Sequence, residues 1–159
     1  MILQEPQSLL TPASKMPGLD GQKMSKSYDN TIALREPVDS VEKKIRTMPT
    51  DPARVRRTDP GDPDKCPVWQ LHDVYSDEKT REWVQSGCRT AGIGCLECKK
   101  PVIDAVIAEL EPIQAEARQY EKDPDEVRSI IADGCDVARE SAREKIQDVR
   151  QAMGLNYNR

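Results

Sequence analysis

The sequence predicts a mainly helical protein, and three observations support this fold class. Two segments in the last third carry apolar residues at intervals of four and three, the spacing that places side chains on one face of a helix. Acidic and hydroxyl residues precede helical segments where N-caps are expected. The 159 residues include 33% charged side chains and no phenylalanine, so either much of the chain is exposed helix and loop, or its apolar faces pack against something else.

The first 37 residues are expected to be extended or loop structure. A short helix over about 40–48 should follow, because Asp39 and Glu42 have the spacing of a capping box. Residues 49–67 are rich in Pro, Asp and Gly, which predicts a long ordered loop or linker. The residues that interrupt the first segment are Pro6, Pro12, Pro17, Gly18, Gly21 and Pro37.

Three further helices are predicted. Ser76 or Asp77 can cap a helix that runs to about residue 87, before glycines interrupt the pattern. An apolar stripe then runs from Val102 to Tyr120, and Pro112 inside it should bend or break that helix.

The last predicted helix begins after Asp123, with Pro124 in its first turn, and ends at Gly154. We expect it to pack antiparallel to the preceding helix. Cys135 lies on its apolar stripe and is interpreted as a core residue. The stripe consists of Val127, Ile131, Cys135, Ala138, Ala142, Ile146, Val149 and Met153.

Composition excludes several classes of protein. A net charge of -4 does not indicate a general nucleic-acid binder, and no apolar run is long enough to span a bilayer. The N-terminus lacks the features of a signal peptide, so a reducing cytoplasm is predicted. In that compartment the five cysteines are expected to be metal ligands or buried thiols rather than disulfides.

Residues 21–27 carry the strongest functional signal, with the sequence GQKMSKS. Lys23 and Lys26, with two serines and an upstream glycine, are suited to bind phosphates and to stabilise charge on a leaving pyrophosphate. The pattern of a P-loop is absent. A lysine pair at this spacing is more often part of a solvated surface loop, and this is the alternative interpretation.

The string KMSKS at 23–27 is identical to the second signature of class I aminoacyl-tRNA synthetases, and its setting resembles the tryptophan and tyrosine branch. The segments RVRRTDPGDP at 54–63 and AGIGCLECKK at 91–100 resemble tryptophanyl-tRNA synthetases of the bacterial type. The resemblance covers essentially the whole chain and makes the solvated-loop alternative improbable.

The resemblance implies the fold and the reaction. It implies the tail of a Rossmann-like nucleotide-binding domain with the KMSKS loop over residues 1–36, followed by a helical anticodon-binding domain over 37–159. Lys23 and Lys26 would be catalytic and bind the β- and γ-phosphates of ATP, with Met24, Ser25 and Ser27 completing the ATP site. The implied partners are tRNA(Trp), tryptophan and ATP with Mg²⁺, in a full-length homodimer.

The other class I signature, of the His-Ile-Gly-His type, is missing, because the chain has a single histidine, His72, which lies after the loop. We therefore expect the sequence to be the C-terminal half of the enzyme and to be inactive alone. His72 itself is interpreted as a helix residue with satisfied hydrogen bonds rather than a catalytic one.

Cys66, Cys88, Cys95 and Cys98 form the second functional pattern, separated by 21, 6 and 2 residues. Structural zinc sites usually pair two Cys-x-x-Cys knuckles, and only one is present. Three clustered cysteines and one distant cysteine suit a [4Fe–4S] cluster at least as well. The resemblance favours the cluster, since some tryptophanyl-tRNA synthetases carry one on nearly this spacing. Zinc and metal-free thiols stay open as alternatives.

Arg54, Arg56 and Arg57 form the third pattern, because guanidinium groups on a loop suit contacts to tRNA phosphates. Ion pairing with nearby aspartates is an equally good interpretation. Two other functions remain for the chain: a stand-alone metal-cluster RNA-binding module, and a tyrosine-specific relative. The intact KMSKS loop disfavours the first, and the cysteine block disfavours the second.

Overall fold

The computed structural model describes residues 3–10 and 14–155, and in these residues the chain is mainly helical, as predicted. No helix in this part of the chain is both long and apolar enough to cross a membrane. The irregular structure predicted for residues 1–37 is confirmed where it is described, whereas residues 1–2 and 11–13 of that segment lie outside the description. The helices are α1 Val38–Thr47, α2 Pro67–Tyr75, α3 Glu78–Arg89, α4 Cys95–Lys122 and α5 Pro124–Ala152.

The chain divides into two compact units. One comprises Leu10–Ala115, and the other comprises Met1–Leu9 with Glu116–Arg159. The first unit contains the core, in which α1, α2 and α4 bury aliphatic side chains against one another. Met16, Leu19 and Ile32 pack against this core from the irregular N-terminal segment and so anchor it. The buried core residues are Val41, Ile45, Met48, Val68, Leu71, Val102, Ile103, Val106 and Leu110.

Helix α1 forms where it was predicted, but the capping box is wrong. The helix begins one residue before Asp39, and Pro37 is its N-cap without a side-chain hydrogen bond. Glu36 holds this end instead: its carboxylate accepts hydrogen bonds from the Ser40 hydroxyl at 2.5 Å and from Lys44 Nζ at 2.7 Å. A proline side chain has no hydrogen-bond acceptor, so Pro37 cannot cap the first turn through its side chain.

Helix α2 was not predicted, because Pro67 was assigned to the proline-rich loop over residues 49–67. Pro67 is in fact its first residue, a position at which the missing N–H costs nothing. Helix α3 agrees with the prediction, since Asp77 Oδ1 accepts a hydrogen bond from the Thr80 N–H at 2.8 Å.

Helix α4 continues through both Pro101 and Pro112, so of the predicted bend or break at Pro112 the break does not occur. Each proline removes one backbone hydrogen bond and crowds the preceding turn. Val102, Val106 and Leu110 lie between the two prolines and are buried, and their packing holds the helix against that cost.

Helix α5 begins as predicted, since Asp123 Oδ1 accepts a hydrogen bond from the Glu126 N–H at 3.0 Å. It buries none of its residues, however, and Ile131 is 59% exposed. Cys135 is exposed as well, so its interpretation as a core residue is wrong. Periodicity shows that a face is apolar but does not show what covers it.

Candidate functional site

The KMSKS segment lies on a tight turn that its own backbone closes. Pro17 and Lys23 form an isolated antiparallel bridge, and the Met24 N–H donates to the Met16 carbonyl at 2.9 Å. Gly21 has φ +83°, in the left-handed region that favours glycine, and a Cβ there would lie 2.7 Å from Pro67 Cγ. Backbone contacts and the close approach to Pro67 therefore support this conformation of the turn.

Asn30 links this turn to the residues that follow it. Its side chain is buried, its Oδ1 accepts a hydrogen bond from the Ser25 N–H at 2.7 Å, and its Nδ2 donates to Asp20 Oδ1 at 2.7 Å and to the Lys23 carbonyl at 3.2 Å. A Cβ on Gly18 would lie 2.2 Å from the same Nδ2. One amide thus holds the backbone on both sides of Met24.

The two lysines of the segment are exposed. Within the described part of the chain, no ion pair or hydrogen bond is formed by the ammonium group of Lys23 or Lys26. The Ser25 and Ser27 hydroxyls lie 2.8 Å apart. Met24 points the other way and lines an apolar pocket of about 260 Å³. The loop therefore presents two cations and two hydroxyls on a fixed backbone, an arrangement suited to a polyphosphate.

The four predicted metal ligands line one small pocket. Cys66 precedes the first turn of α2, Cys88 lies near the end of α3, and Cys95 and Cys98 lie in the first turn of α4. Two helices, α2 and α4, therefore begin at this pocket. All four thiols are partly buried.

Contacts around the thiols are polar. His72, which is fully buried, places Nε2 3.3 Å from Cys98 Sγ and Nδ1 2.8 Å from the Ser76 hydroxyl. Its interpretation as a satisfied helix residue agrees with these two bonds. Burial lowers the pKa of His72 to about 4 and raises the pKa of the Cys98 thiol to about 12. Without a bound cation, Cys98 is therefore a protonated thiol at neutral pH.

The fit of this pocket to a metal group depends on its shape and its charge. Among residues 3–10 and 14–155, no three His, Cys, Asp or Glu side chains are arranged to hold a metal ion. The free space is about 20 Å³, about that of one water, so the thiols would have to turn outward to admit a cluster. Four thiols are a donor set that suits a cluster, and Nε of Arg54, a residue of the pocket wall, is buried without a hydrogen-bond partner among the described residues.

The three loop arginines are not equivalent. Arg54 is buried, and its Nη2 donates to the carbonyls of Ile93 at 2.6 Å and Arg57 at 3.0 Å, so it braces the loop from inside. Arg56 and Arg57 are exposed. Arg57 Nη2 lies 3.4 Å from Glu97 Oε2, an exposed pair that contributes little to stability. Arg56 and Arg57, but not Arg54, are placed to reach an external phosphate.

Two residues near these sites were missed in the sequence. Asn30 lies three residues after the KMSKS segment, and asparagine side chains commonly hydrogen-bond the backbone of nearby turns. Lys99 is only 3% exposed, and its Nζ donates to the carbonyls of Arg46 at 2.7 Å and Met48 at 2.6 Å. The run Lys99-Lys100 gave no indication of which lysine is buried.

Comparison with known proteins gives a consistent result. The family model described as tRNA synthetases class I (W and Y) matches residues 1–111. A protein of Ralstonia nicotianae named tryptophan--tRNA ligase is 68% identical over 158 residues, which cover 99% of this chain and 40% of that protein. A protein of the same name from Thermotoga maritima is 43% identical, and the match covers 98% of this chain and 48% of that protein.

Solved structures agree with the sequence relatives. A tryptophanyl-tRNA synthetase from Campylobacter jejuni, complexed with ADP and tryptophan, superposes with a TM-score of 0.75 at 26% identity. The match covers 97% of this chain and 48% of that one. The chain therefore spans less than half the length of these relatives.

Proposed function

The chain belongs to the class I tRNA synthetases of the tryptophan and tyrosine group, and we propose that it carries the phosphate-binding loop and the tRNA-binding helices of a tryptophan–tRNA ligase. The observation that carries the proposal is the 68% identity to a protein of that name over 158 residues. Such a ligase activates tryptophan with ATP and Mg²⁺ and transfers it to tRNA(Trp). We propose the cytoplasm and a homodimer as the setting of the full-length enzyme.

Lys23 and Lys26 have the central role in the proposed mechanism. Their ammonium groups would bind the β- and γ-phosphates and stabilise the charge that develops on pyrophosphate as the tryptophan carboxylate attacks the α-phosphate. Ser25 and Ser27 would donate to phosphate oxygens, while Met24 packs the loop onto the core. The exposure of both lysines and the fixed loop backbone support these roles, because preorganised donors need no rearrangement during the reaction.

A chimera tests whether this chain can complete such a ligase. This chain replaces the matching segment of the Ralstonia nicotianae ligase, and ATP–pyrophosphate exchange is measured with tryptophan, with tyrosine as the background control. We expect tryptophan-dependent exchange close to that of the parent ligase. A chimera that folds and binds tryptophan but exchanges no faster than background would contradict the proposal.

The isolated 159-residue chain is expected to stay at background in the same assay. It carries the KMSKS signature but no histidine signature, so only part of an ATP site is present. Clear tryptophan-dependent exchange by the purified chain would contradict this expectation.

For the four cysteines we propose a [4Fe–4S] cluster held by Cys66, Cys88, Cys95 and Cys98. Their convergence on one pocket supports it. When bound, the cluster would supply a cross-link between α3, α4 and the loop before α2. Chain purified without oxygen should contain roughly four irons with matching sulfide. Chain free of iron, sulfide and zinc under these conditions, with four reactive thiols, would refute the proposal.

The helical part from residue 37 onward is proposed to bind tRNA, with residues 1–36 belonging to the nucleotide-binding domain. Exposed Arg56 and Arg57 are the proposed phosphate contacts. Arg54, proposed from sequence as a third contact, is assigned instead to bracing the loop, because its guanidinium group is buried.

A further inference from the structure

The wall of the four-cysteine pocket contains two buried cations. Arg54 is 8% exposed and Lys99 is 3% exposed, and both line the pocket with the thiols. The hydrogen bonds of the Lys99 ammonium end on two backbone carbonyls. Those of the Arg54 guanidinium end on two carbonyls and, at 3.8 Å, on Cys88 Sγ. Neither cation has a carboxylate as its hydrogen-bond partner.

Burying cations in this way is unfavourable unless negative charge is close. Removing a charged group from water carries a large desolvation penalty. Asp51 is the carboxylate of the same pocket wall, and its two oxygens accept the N–H groups of Ala53 at 3.0 Å and Asp62 at 2.8 Å. One carboxylate faces two cations, so the wall carries excess positive charge.

One donor of this wall has no acceptor. Arg54 Nε is buried and makes no hydrogen bond. Buried N–H groups are nearly always satisfied, so an orphaned one indicates an acceptor that completes the site. Cys88 Sγ already lies beside the same guanidinium group. A Cβ on Gly61 would lie 2.7 Å from that sulfur, so the backbone of the loop packs closely against the thiol.

We infer that Arg54 and Lys99 are internal counterions of an anionic metal group held by the four thiolates. The inference rests on the metal site proposed above. Four thiolates outweigh the positive charge of Zn²⁺ or of an iron–sulfur core, so the bound group has net negative charge, which compensates the two cations. Sulfur is also an acceptor for the free Arg54 Nε–H, and hydrogen bonds to sulfur tune such groups.

The first test measures metal affinity with Co²⁺, whose thiolate absorption bands report binding. The reduced 159-residue chain is titrated without oxygen, and Lys99→Met and Arg54→Gln are compared with Lys100→Met and Arg56→Gln, which alter exposed neighbours. We expect the buried-site variants to bind Co²⁺ 10–100-fold more weakly, as is typical of outer-shell partners, and the controls to match the parent chain. Lys99→Arg should restore much of the affinity, because it keeps the charge.

The second test measures how the buried cations change the reduction potential of the bound group. The cluster is reconstituted with iron and sulfide, and its reduction potential is measured. Loss of a nearby cation disfavours an added electron, so Lys99→Met should lower the potential and Lys99→Arg should return it towards that of the parent. Circular dichroism verifies folding, and if Lys99→Met does not fold, Arg54→Gln decides the question.

The outcomes separate the two proposals. A parent chain that binds neither Co²⁺ nor iron would overturn the metal site and the counterion inference with it. A parent chain that binds metal, with Lys99→Met and Arg54→Gln indistinguishable from their controls in affinity and potential, would overturn the counterion inference alone.

Discussion

Asn30 shows how one residue can fix a loop without touching a ligand. Its amide joins the Ser25 N–H, the Lys23 carbonyl and the Asp20 carboxylate. The hydrogen bond from Asn30 is the largest cause that lowers the pKa of Asp20, which keeps that carboxylate ionised. Asn30 bonds the backbone of the loop and the Asp20 carboxylate, and the side chains of Lys23 and Lys26 remain exposed to solvent. Reactive groups on a rigid support are the usual requirement for electrostatic catalysis.

The first prediction concerns Lys26. In the chimeric ligase, Lys26→Ala should slow adenylation by roughly two to three orders of magnitude, the loss typical of one preorganised donor. Tryptophan affinity should hardly change, because the contact is to phosphate. Lys79→Ala, an exposed lysine on α3, is the control. Single-turnover rates and tryptophan binding measure the two effects. A collapse of tryptophan affinity with an unchanged chemical step would assign Lys26 a different role.

The second prediction is a pH dependence of stability at Glu36. Burial raises the pKa of this carboxyl, but hydrogen bonds from Lys44, Ser40 and the Ala33 N–H outweigh it, and the net pKa lies below the ordinary 4.5. A lowered folded-state pKa contributes stability above about pH 4.5, and this stability is lost as the pH falls through the folded-state value. Glu36→Gln should therefore destabilise the chain at pH 7 and have a smaller effect at low pH.

Urea unfolding of the 159-residue chain at both pH values measures this difference. Glu42→Gln removes an exposed carboxylate that pairs with Arg46 on α1 and serves as the control. Equal destabilisation by Glu36→Gln at both pH values would mean that the ionised carboxylate contributes nothing beyond its packing.

At the scale of elements, local sequence signals predicted where helices start better than they predicted how the helices pack. The caps of α3 and α5 were predicted because Asp77 and Asp123 bond N–H groups three residues away, a purely local geometry. The start of α2 was missed, since Pro67 belongs equally to a loop and to a first helical turn. The continuity of α4 through Pro112 depends on buried neighbours, which periodicity does not reveal.

The candidate functional residues differ in the same way. Lys23, Lys26 and the four cysteines could be proposed from the sequence, because the chemistry proposed for them depends on residue type and spacing. Arg54 and Lys99 could not be distinguished from Arg56 and Lys100, because burial of one basic residue in a run is decided by tertiary packing.

The third prediction concerns Gly134 in the middle of α5. A Cβ there would meet nothing within 4 Å. Gly134→Ala should stabilise the helix by about 0.5–1 kcal/mol, because alanine loses less backbone entropy on folding than glycine. Thermal unfolding followed by circular dichroism measures the gain. Gly18→Ala is the contrasting variant, since its Cβ would clash with Asn30, and it should lower stability. A loss of stability in Gly134→Ala would indicate that this face of α5 is covered.

At the scale of the whole molecule, a net charge of -4 coexists with exposed basic side chains. Lys43 and Arg46 on α1 and Arg56 and Arg57 on the loop that follows it are exposed. A protein of negative net charge can therefore still offer a local basic surface to tRNA.

The fourth prediction tests that surface. Arg56→Ala and Arg57→Ala should weaken binding of a tRNA(Trp) transcript to the 159-residue chain and reduce the slope of log affinity against log salt by about 0.7–0.9 for each lost phosphate contact. Lys79→Ala, on the exposed face of α3 and outside this surface, serves as the control. Fluorescence anisotropy over a range of salt concentrations measures the slope. Unchanged affinity at every salt concentration would leave Arg57 with its Glu97 pair as its only role.

The exposed stripe of α5 has a geometric consequence. From Val127 to Met153 its successive intervals are 4, 4, 3, 4, 4, 3 and 4 residues, a period of eleven residues rather than seven. Eleven residues fill three turns at about 3.67 residues per turn, slightly above the 3.6 of a straight helix. The stripe therefore runs almost parallel to the helix axis for about 40 Å, at 1.5 Å per residue. A left-handed supercoil, which needs a seam of seven-residue period, does not match it.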